Sequence, residues 1–317
     1  MTALRVQPGE RFVAVGDLES TQILDALEIA GKNAGAETAT LRLDQLRSYS
    51  TNHSGDRPHK VLPDAVRRAM LSAQASAFVA SSPHSEQSMR DQLLHIVGAC
   101  KIRHAHMAGI SPSCFAAGLA QSYESIAAAG KAIEDKLATA KRIEVTSDAG
   151  TSLVVMPPRD GRWIARLGKV AAGTATVFPA GSLLACPDAV SGTFAATASV
   201  GEFFGAREGL LREPLLFEIA DGRVVGVDAP NNPHLVKDVE AMLAVAQNSD
   251  RIGLVIIGCN AGVGEPTGDV SVDQHRPGLH LLFGDPMPKA TGATWSARTS
   301  FAACQAVCTI AIDGTPV

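Results

Sequence analysis

The sequence lacks a long apolar run. No stretch approaches the roughly 18 consecutive apolar residues of a membrane-spanning helix, and Asp17, Glu19 and Asp25 place charges in the N-terminal region. No basic segment followed by an apolar one indicates a secretory signal. We therefore expect a cytoplasmic protein with no membrane partner.

An excess of positive charge is also missing. The chain carries 28 Lys and Arg against 32 Asp and Glu, a formal net charge of -4. Proteins whose main work is binding a phosphate backbone are usually basic, so we expect no nucleic-acid partner. With 317 residues, 46% of them hydrophobic, the chain is long enough for two packed domains.

Several local motifs are absent too. No G-x-G-x-x-G, Walker, G-x-S-x-G or H-E-x-x-H motif occurs, which disfavours a dinucleotide site, a P-loop, a nucleophile elbow and a zincin helix. The six cysteines contain no C-x-x-C pair. Cys304 and Cys308 lie beside a β-type run, and we predict that they are buried, reduced thiols.

The two halves of the chain differ in pattern. Residues 1–141 alternate strand-like and helix-like segments, which favours a parallel sheet covered by helices. From residue 142 onward, short β-type runs are divided by glycines, and only 235–247 has a clear helical period. The predicted fold class is α/β, with an N-terminal parallel-sheet (Rossmann-like) α/β domain in 1–141 and a β-rich α+β catalytic or binding domain in 142–317.

Histidines are the most informative polar residues. His104 and His106 lie two apart on a predicted strand, so they share one face, either at the rim of the sheet or in a pocket at the strand ends. His84 opens a predicted helix, where it is either solvated or in contact with a ligand. His275 and His280 flank a turn and could converge on a metal ion if a third donor lay nearby.

The glycine-bounded segments of the second half resemble the aminopeptidase T/aminopeptidase S metallopeptidases and the related iron-dependent 2,5-dihydroxypyridine dioxygenase. Two stretches of the first half, around residues 82–85 and 107–112, resemble the family's S-x-x-H-[ST] and M-P-G-I-[ST]-P motifs. The matching segments of the second half are residues 145–151, 178–181, 221–225, 258–260, 267–268 and 278–285. The resemblance implies the same two-domain architecture, an active site on the C-terminal domain, and a homodimer.

The metal-ligand positions of the family match this chain unevenly. The histidine of the H-x-x-F-G motif is His280. Ser182 stands at the carboxylate of P-x-G-E, and the H-x-D pair falls on Ser300 and Ala302. Because an alanine offers no donor and a neutral hydroxyl binds divalent ions poorly, this comparison predicts that no metal cofactor is bound.

The first hypothesis is therefore a metal-free enzyme, of hydrolase type, that hydrolyses or opens the ring of a small amide, lactam or N-heterocycle. His280 would act as general base because an imidazole titrates near neutral pH. Ser182 and Ser300 would bind the substrate or supply a nucleophile, and Asp285 would orient the histidine.

Four further residues are predicted to bind the small-molecule substrate. Trp295 would form an apolar or stacking wall, and Arg298 would complement an acidic group. His84 and His106 would contribute from the first half of the chain.

Two alternatives stay open at this stage. One is a dioxygenase or aminopeptidase with Fe or Zn held by displaced ligands, namely His275, His280 and a carboxylate from Asp273, Asp285 or Glu265. The other is a relative that binds a small molecule without converting it.

Overall fold

The computed structural model describes residues 1–46, 61–81, 87–112, 115 and 121–317. The strands are β1 (Arg11–Gly16), β2 (Glu37–Arg42), β3 (Ala75–Ala80), β4 (Arg103–Ala108), β5 (Ile143–Thr146), β6 (Ser152–Met156), β7 (Ile164–Arg166), β8 (Ala175–Val177), β9 (Ser182–Ala185), β10 (Ala189–Ala196), β11 (Ser199–Val200), β12 (Leu215–Ala220), β13 (Arg223–Asp228), β14 (Ile252–Gly258), β15 (Gly278–Gly284), β16 (Ser300–Cys304), β17 (Thr309–Ile312) and β18 (Thr315–Pro316). The helices are α1 (Thr21–Asn33), α2 (Leu43–Leu46), α3 (Asp64–Leu71), α4 (Gln87–Ala99), α5 (Tyr123–Leu137), α6 (Glu202–Glu208), α7 (Pro233–Ala244), α8 (Val270–Asp273) and α9 (Pro288–Thr291).

The chain forms two compact units. Unit 1 comprises Met1–Ala116 and Gly168–Pro179. Its strands form sheet A, in the order β2-β1-β3-β4-β8, and every neighbouring pair is parallel. Strand β3 is buried along its whole length, as expected for a central parallel strand covered on both faces.

Unit 2 comprises Ala117–Leu167 and Ala180–Val317. Sheet B has seven strands in the order β13-β12-β10-β6-β5-β17-β18, and sheet C has six in the order β11-β16-β15-β14-β9-β7. Neighbouring strands of both sheets are antiparallel, as in β14 with β15 and β10 with β12. One apolar core takes side chains from both sheets, including Phe194 and Phe217 of sheet B and Phe283 of sheet C.

The structure confirms the predicted α/β fold class. The compact units nevertheless differ from a division at residue 141. Helix α5 belongs to unit 2, and β8 joins the parallel sheet of unit 1 although it lies beyond residue 142. The second half of the chain therefore supplies one strand to the parallel sheet and every strand of the two antiparallel sheets. No helix of the described ranges is long and apolar enough to cross a membrane.

Candidate functional site

The two faces of sheet C have different surroundings. Side chains alternate along a strand, and Val255, Ile257 and Leu279 point into the core shared with sheet B. Ser182, Gly258 and His280 fall on the alternate positions, so they lie on the opposite face, which we call the outer face. Polar residues at buried strand positions are thereby gathered on one side of the sheet.

A chain segment crosses the outer face at Gly258. A Cβ atom added to this glycine would lie 1.8 Å from the Arg276 carbonyl oxygen, so only glycine lets residues 275–276 approach the strand. Asn260 holds this crossing in place, because its backbone N–H donates to the His275 carbonyl at 2.8 Å and its Nδ2 donates to the Ala180 carbonyl at 2.9 Å. His275 and Arg276 are therefore fixed over the sheet.

Ser182 and Arg166 lie next to each other on this face. They are directly paired in the antiparallel register of β7 and β9, and Ser182 is in turn paired with Gly258 on β14. Directly opposed residues of neighbouring strands place their side chains on the same face. Arg166, Ser182, His275 and His280 thus form one polar group, which we call the outer-face cluster.

His280 is fully buried, and both of its ring nitrogens are hydrogen-bonded to the backbone. Nε2 lies 3.1 Å from the Arg276 carbonyl and Nδ1 accepts from the Gln305 N–H at 3.3 Å. This pattern requires a neutral ring protonated at Nε2. Burial lowers the pKa of His280 to about 4. The hydrogen bond to the Arg276 carbonyl raises this pKa, and the positive charge of the Arg276 side chain lowers it.

These contacts correct the role predicted for His280. A general base needs a free ring nitrogen and a pKa near neutral pH, and His280 has neither. Asp285 does not orient the ring, because both nitrogens bind backbone groups instead.

His275 differs from His280 in having an unsatisfied nitrogen. The residue is 2% exposed, and its Nδ1 has no hydrogen-bond partner among the described residues. Burial first, and then the charges of Arg166 and His280, lower the pKa of His275 to about 3. The buried Ser182 Oγ is likewise without a partner in the part of the chain that the structure describes. Buried polar groups are normally paired, so these two atoms have unmet hydrogen-bonding capacity.

The charges around the cluster are positive. Arg166 is half-buried and makes no ion pair with a carboxylate of the described chain, and its Nη2 donates to Met287 Sδ at 3.5 Å. Arg276 is buried and donates to the carbonyls of Val263, Gly264 and Ala306. No carboxylate is among the charges that shift the pKa of His275 or of His280.

Iron or zinc, the metals implied by the resemblance, do not suit these residues. Nowhere in the described ranges are three or more His, Cys, Asp or Glu side chains grouped so as to hold a metal ion. The displaced set of His275, His280 and Asp285 is therefore not assembled. Asp273, the buried carboxylate near this turn, already accepts hydrogen bonds from Thr267 and Gly268.

The other predicted residues of the second half lie at the far end of β15. Ser300 is paired with Gly284, four positions from His280, which corresponds to about 13 Å along a strand. Asp285 follows Gly284, and the ring of Trp295 stacks on the Arg251 guanidinium at 3.9 Å. Ser300 is exposed, as is Arg298. The structure does not bring these four residues together with His280 and Ser182.

In unit 1, His104 and His106 are buried rather than placed at a rim. Arg90 Nε donates to His106 Nε2 at 3.1 Å, His106 Nδ1 and His104 Nε2 are 3.3 Å apart, and His104 Nδ1 lies 2.8 Å from Ser76 Oγ. Because arginine can only donate, His106 Nε2 accepts, and both rings therefore carry their proton on Nδ1. The hydrogen bonds form a chain that runs in one direction from Arg90 to Ser76. Burial lowers the pKa of both histidines, that of His106 to about 4.

This hydrogen-bonded chain leaves His106 without a ring nitrogen for a substrate, which corrects its predicted binding role. Phe78 stacks on the His106 ring, with centroids 5.2 Å apart, and completes its surroundings. His84, the other substrate-binding residue predicted in the first half, lies outside the described residues.

Three cysteines of unit 2 are not activated as nucleophiles. Cys304 is buried, as predicted, and Cys308 is partly buried. Burial raises the pKa of both thiols, and it raises that of Cys259 to about 11. Thiolate is the reactive form of cysteine, so these residues have no catalytic character.

Sequence reasoning did not find Arg166. It lies in a stretch of turns and a three-residue strand whose course no periodicity predicts. Its place beside Ser182 follows only from the pairing of β7 with β9.

Several solved structures share this fold, among them the following two. The 2,5-dihydroxypyridine dioxygenase from Pseudomonas putida KT2440 has 16% identical residues and a TM-score of 0.67, over 100% of this chain and 92% of its own. Wild-type AmpT, an aminopeptidase T, from Thermus thermophilus has 14% identity and a TM-score of 0.66, over 99% of this chain and 94% of its own. No family model and no curated protein matches the sequence. At these identities the likeness establishes a shared fold.

Proposed function

We propose that unit 2 binds a small organic molecule on the outer face of sheet C and converts it without a metal ion. The reaction class is hydrolysis or ring opening of a small amide, lactam or N-heterocycle. The observation that carries the proposal is the pair of unsatisfied buried atoms, Ser182 Oγ and His275 Nδ1. Leaving such atoms unpaired costs about 1–3 kcal/mol each, which a bound polar group would offset.

The roles within the site follow from which atoms are available. Ser182 Oγ can donate to or accept from the bound molecule. His275 is neutral, so its Nδ1 can accept or donate a hydrogen bond according to its tautomer. His280 holds the turn at Arg276 through its bonds to the backbone and is a positioning residue.

The test is incubation of the full chain with a panel of small amides, lactams and N-heterocycles, with products identified by mass spectrometry. We expect conversion of at least one compound by the wild type. It should fall at least about tenfold in Ser182→Ala and in His275→Leu, the loss expected when one hydrogen bond to a substrate is removed. Ser296→Ala, an exposed serine elsewhere in unit 2, is the matched control. Conversion unaffected by both site variants would contradict the proposal.

A second candidate function, binding without conversion, is favoured by one observation. The pKa of His275 is about 3 and burial raises the pKa of Cys259, Cys304 and Cys308, so none of these groups is a strong base or nucleophile at neutral pH. A compound that binds wild type, is lost in Ser182→Ala, and is recovered unchanged would support this candidate.

Iron or zinc is the remaining alternative, and elemental analysis of the purified protein tests it. One equivalent of either metal would overturn the metal-free proposal. A homodimer and a cytoplasmic location are also proposals, tested by sedimentation equilibrium and by cell fractionation.

A further inference from the structure

Arg166 is an unusual cation for its surroundings. It is half-buried, burial lowers the pKa of its guanidinium, and it makes no ion pair with any carboxylate of the described chain. Its recorded partner is the Met287 thioether, a weak acceptor. Removing a charge from water is costly unless an opposite charge or several hydrogen bonds compensate it. The fold therefore holds a guanidinium ready for a counter-ion that the described part of the chain does not supply.

The neighbours of Arg166 can also bind an anion. Ser182 lies directly opposite it in the sheet and has an unsatisfied hydroxyl. His275 is close enough for the Arg166 charge to depress its pKa, and its unsatisfied Nδ1 can carry a proton to donate. Arg276, bonded to carbonyl oxygens, adds a second positive charge beside the histidines. All of these groups favour a negative ligand over a cation.

The backbone next to Arg166 is strained. Met287, whose sulfur Arg166 contacts, has a left-handed conformation with φ 54°. Such a conformation is unfavourable in a non-glycine residue and persists only where the surrounding structure enforces it. The Met287 sulfur at the start of this turn lies 3.5 Å from Arg166 Nη2.

We propose that the outer-face cluster is a carboxylate-binding subsite, in which Arg166 pairs with the carboxylate of a small organic acid while Ser182 and His275 donate to it. The planar guanidinium fork matches a carboxylate in two parallel hydrogen bonds. This inference rests on the proposed function, because it names the chemical class of the molecule held at the same site. The substrate class thereby narrows to compounds that carry a free carboxylate.

Benzoate and benzamide are a matched pair of probes, because they have nearly the same shape and only benzoate is charged. We expect benzoate to bind wild type more tightly than benzamide in ligand-observed NMR titrations at low salt. Arg166→Gln should weaken benzoate at least about tenfold, since a hydrogen bond to a charged group contributes about 1.5–3 kcal/mol. Arg166→Lys should retain part of the affinity because it keeps the charge and loses the fork.

The control is Arg159→Gln, which removes the same charge from a side chain that is 94% exposed. Thermal unfolding gives a readout that needs no ligand. Because the guanidinium is unpaired, Arg166→Gln should leave the melting temperature unchanged or raise it. A clear decrease would show that the chain itself compensates the charge, which would overturn the proposal.

The outcomes separate this inference from the proposed function. Any of three results overturns the carboxylate subsite. Benzoate binding survives Arg166→Gln, the two probes bind wild type equally, or neither probe binds. If a neutral compound is converted in a Ser182-dependent way while Arg166→Gln has no effect, the proposed function stands and the subsite does not. If benzoate binding depends on Arg166 and no compound of the panel is converted, the subsite stands and the catalytic proposal fails.

Discussion

Each unit of the molecule buries a pair of histidines, and the two pairs differ in how their nitrogens are used. In unit 1, all four ring nitrogens of His104 and His106 have partners. In unit 2, both nitrogens of His280 are bonded, whereas Nδ1 of His275 has no partner among the residues that the structure describes. Burial lowers the pKa of all four rings. Burial and a lowered pKa therefore do not distinguish a structural histidine from a candidate functional one. The distinguishing feature is a buried ring nitrogen without a hydrogen-bond partner.

The largest expected effect comes from replacing one histidine of each pair by leucine. His104→Leu leaves Ser76 Oγ and the His106 Nδ1–H without partners and should lower the free energy of unfolding by about 3 kcal/mol. His275→Leu removes an atom that is already unsatisfied and should change stability by less than about 1 kcal/mol. Urea unfolding followed by circular dichroism measures both.

Equal losses of stability in the two variants would remove the distinction between the pairs. Ser76→Ala, which deletes only the last acceptor of the chain in unit 1, provides a milder check and should cost about 1 kcal/mol.

Acid should act on both pairs in the same direction. The folded-state pKa is about 3 for His275 and about 4 for His106 and His280, below the value of about 6.5 expected in the unfolded chain. The unfolded chain therefore takes up protons first. The stability that neutral rings contribute is complete above about pH 6.5 and is lost as the pH falls toward about 3.

Comparing His275→Leu with wild type separates the contribution of the His275 ring to the pH dependence of stability from that of the carboxylates, which titrate at lower pH. Each such ring contributes about 1.4 kcal/mol per pH unit within its window. Between about pH 6.5 and about pH 5, His275→Leu should lose about 2 kcal/mol less stability than wild type. Identical pH profiles would mean that His275 is not held neutral in the folded state.

The last prediction concerns the close approach at Gly258. Gly258→Ala would force the Arg276 carbonyl away from β14 and displace His275, at a cost of about 1.5 kcal/mol and with loss of ligand binding. Gly264→Ala is the control, because a Cβ there meets no atom within 4 Å. If Gly258→Ala bound ligand normally, the crossing segment would not form part of the site.

The sequence predicted the fold better than the site. Alternation of apolar periods identified the parallel sheet of unit 1, and the runs divided by glycines identified the antiparallel strands of unit 2. The pattern could not place β8, a three-residue strand whose partner β4 lies far away along the chain. Short strands carry little periodic signal, so their pairing depends on tertiary contacts.

The same limit explains the errors in the site. Ser182 and His280 do lie on one face of sheet C, whereas Asp285 and Ser300 lie at the other end of the strand pair. The family resemblance and the usual pKa of an imidazole favoured His280 as a base, and only its contacts with Arg276 and Gln305 show that its nitrogens are already used. No sequence pattern indicated that Arg166 belongs to the site, because its position beside Ser182 depends on the register of β7 with β9.

The hydrogen-bonded chain of unit 1 cannot serve as a proton relay. A relay passes a proton in at one end and out at the other, and its members then reverse their roles as donor and acceptor. Arg90 stands at the beginning of this chain and, as a permanently charged group, does not give up its proton or become an acceptor. The direction of these hydrogen bonds is thereby fixed, and they hold helix α4 against strands β4 and β3 of sheet A.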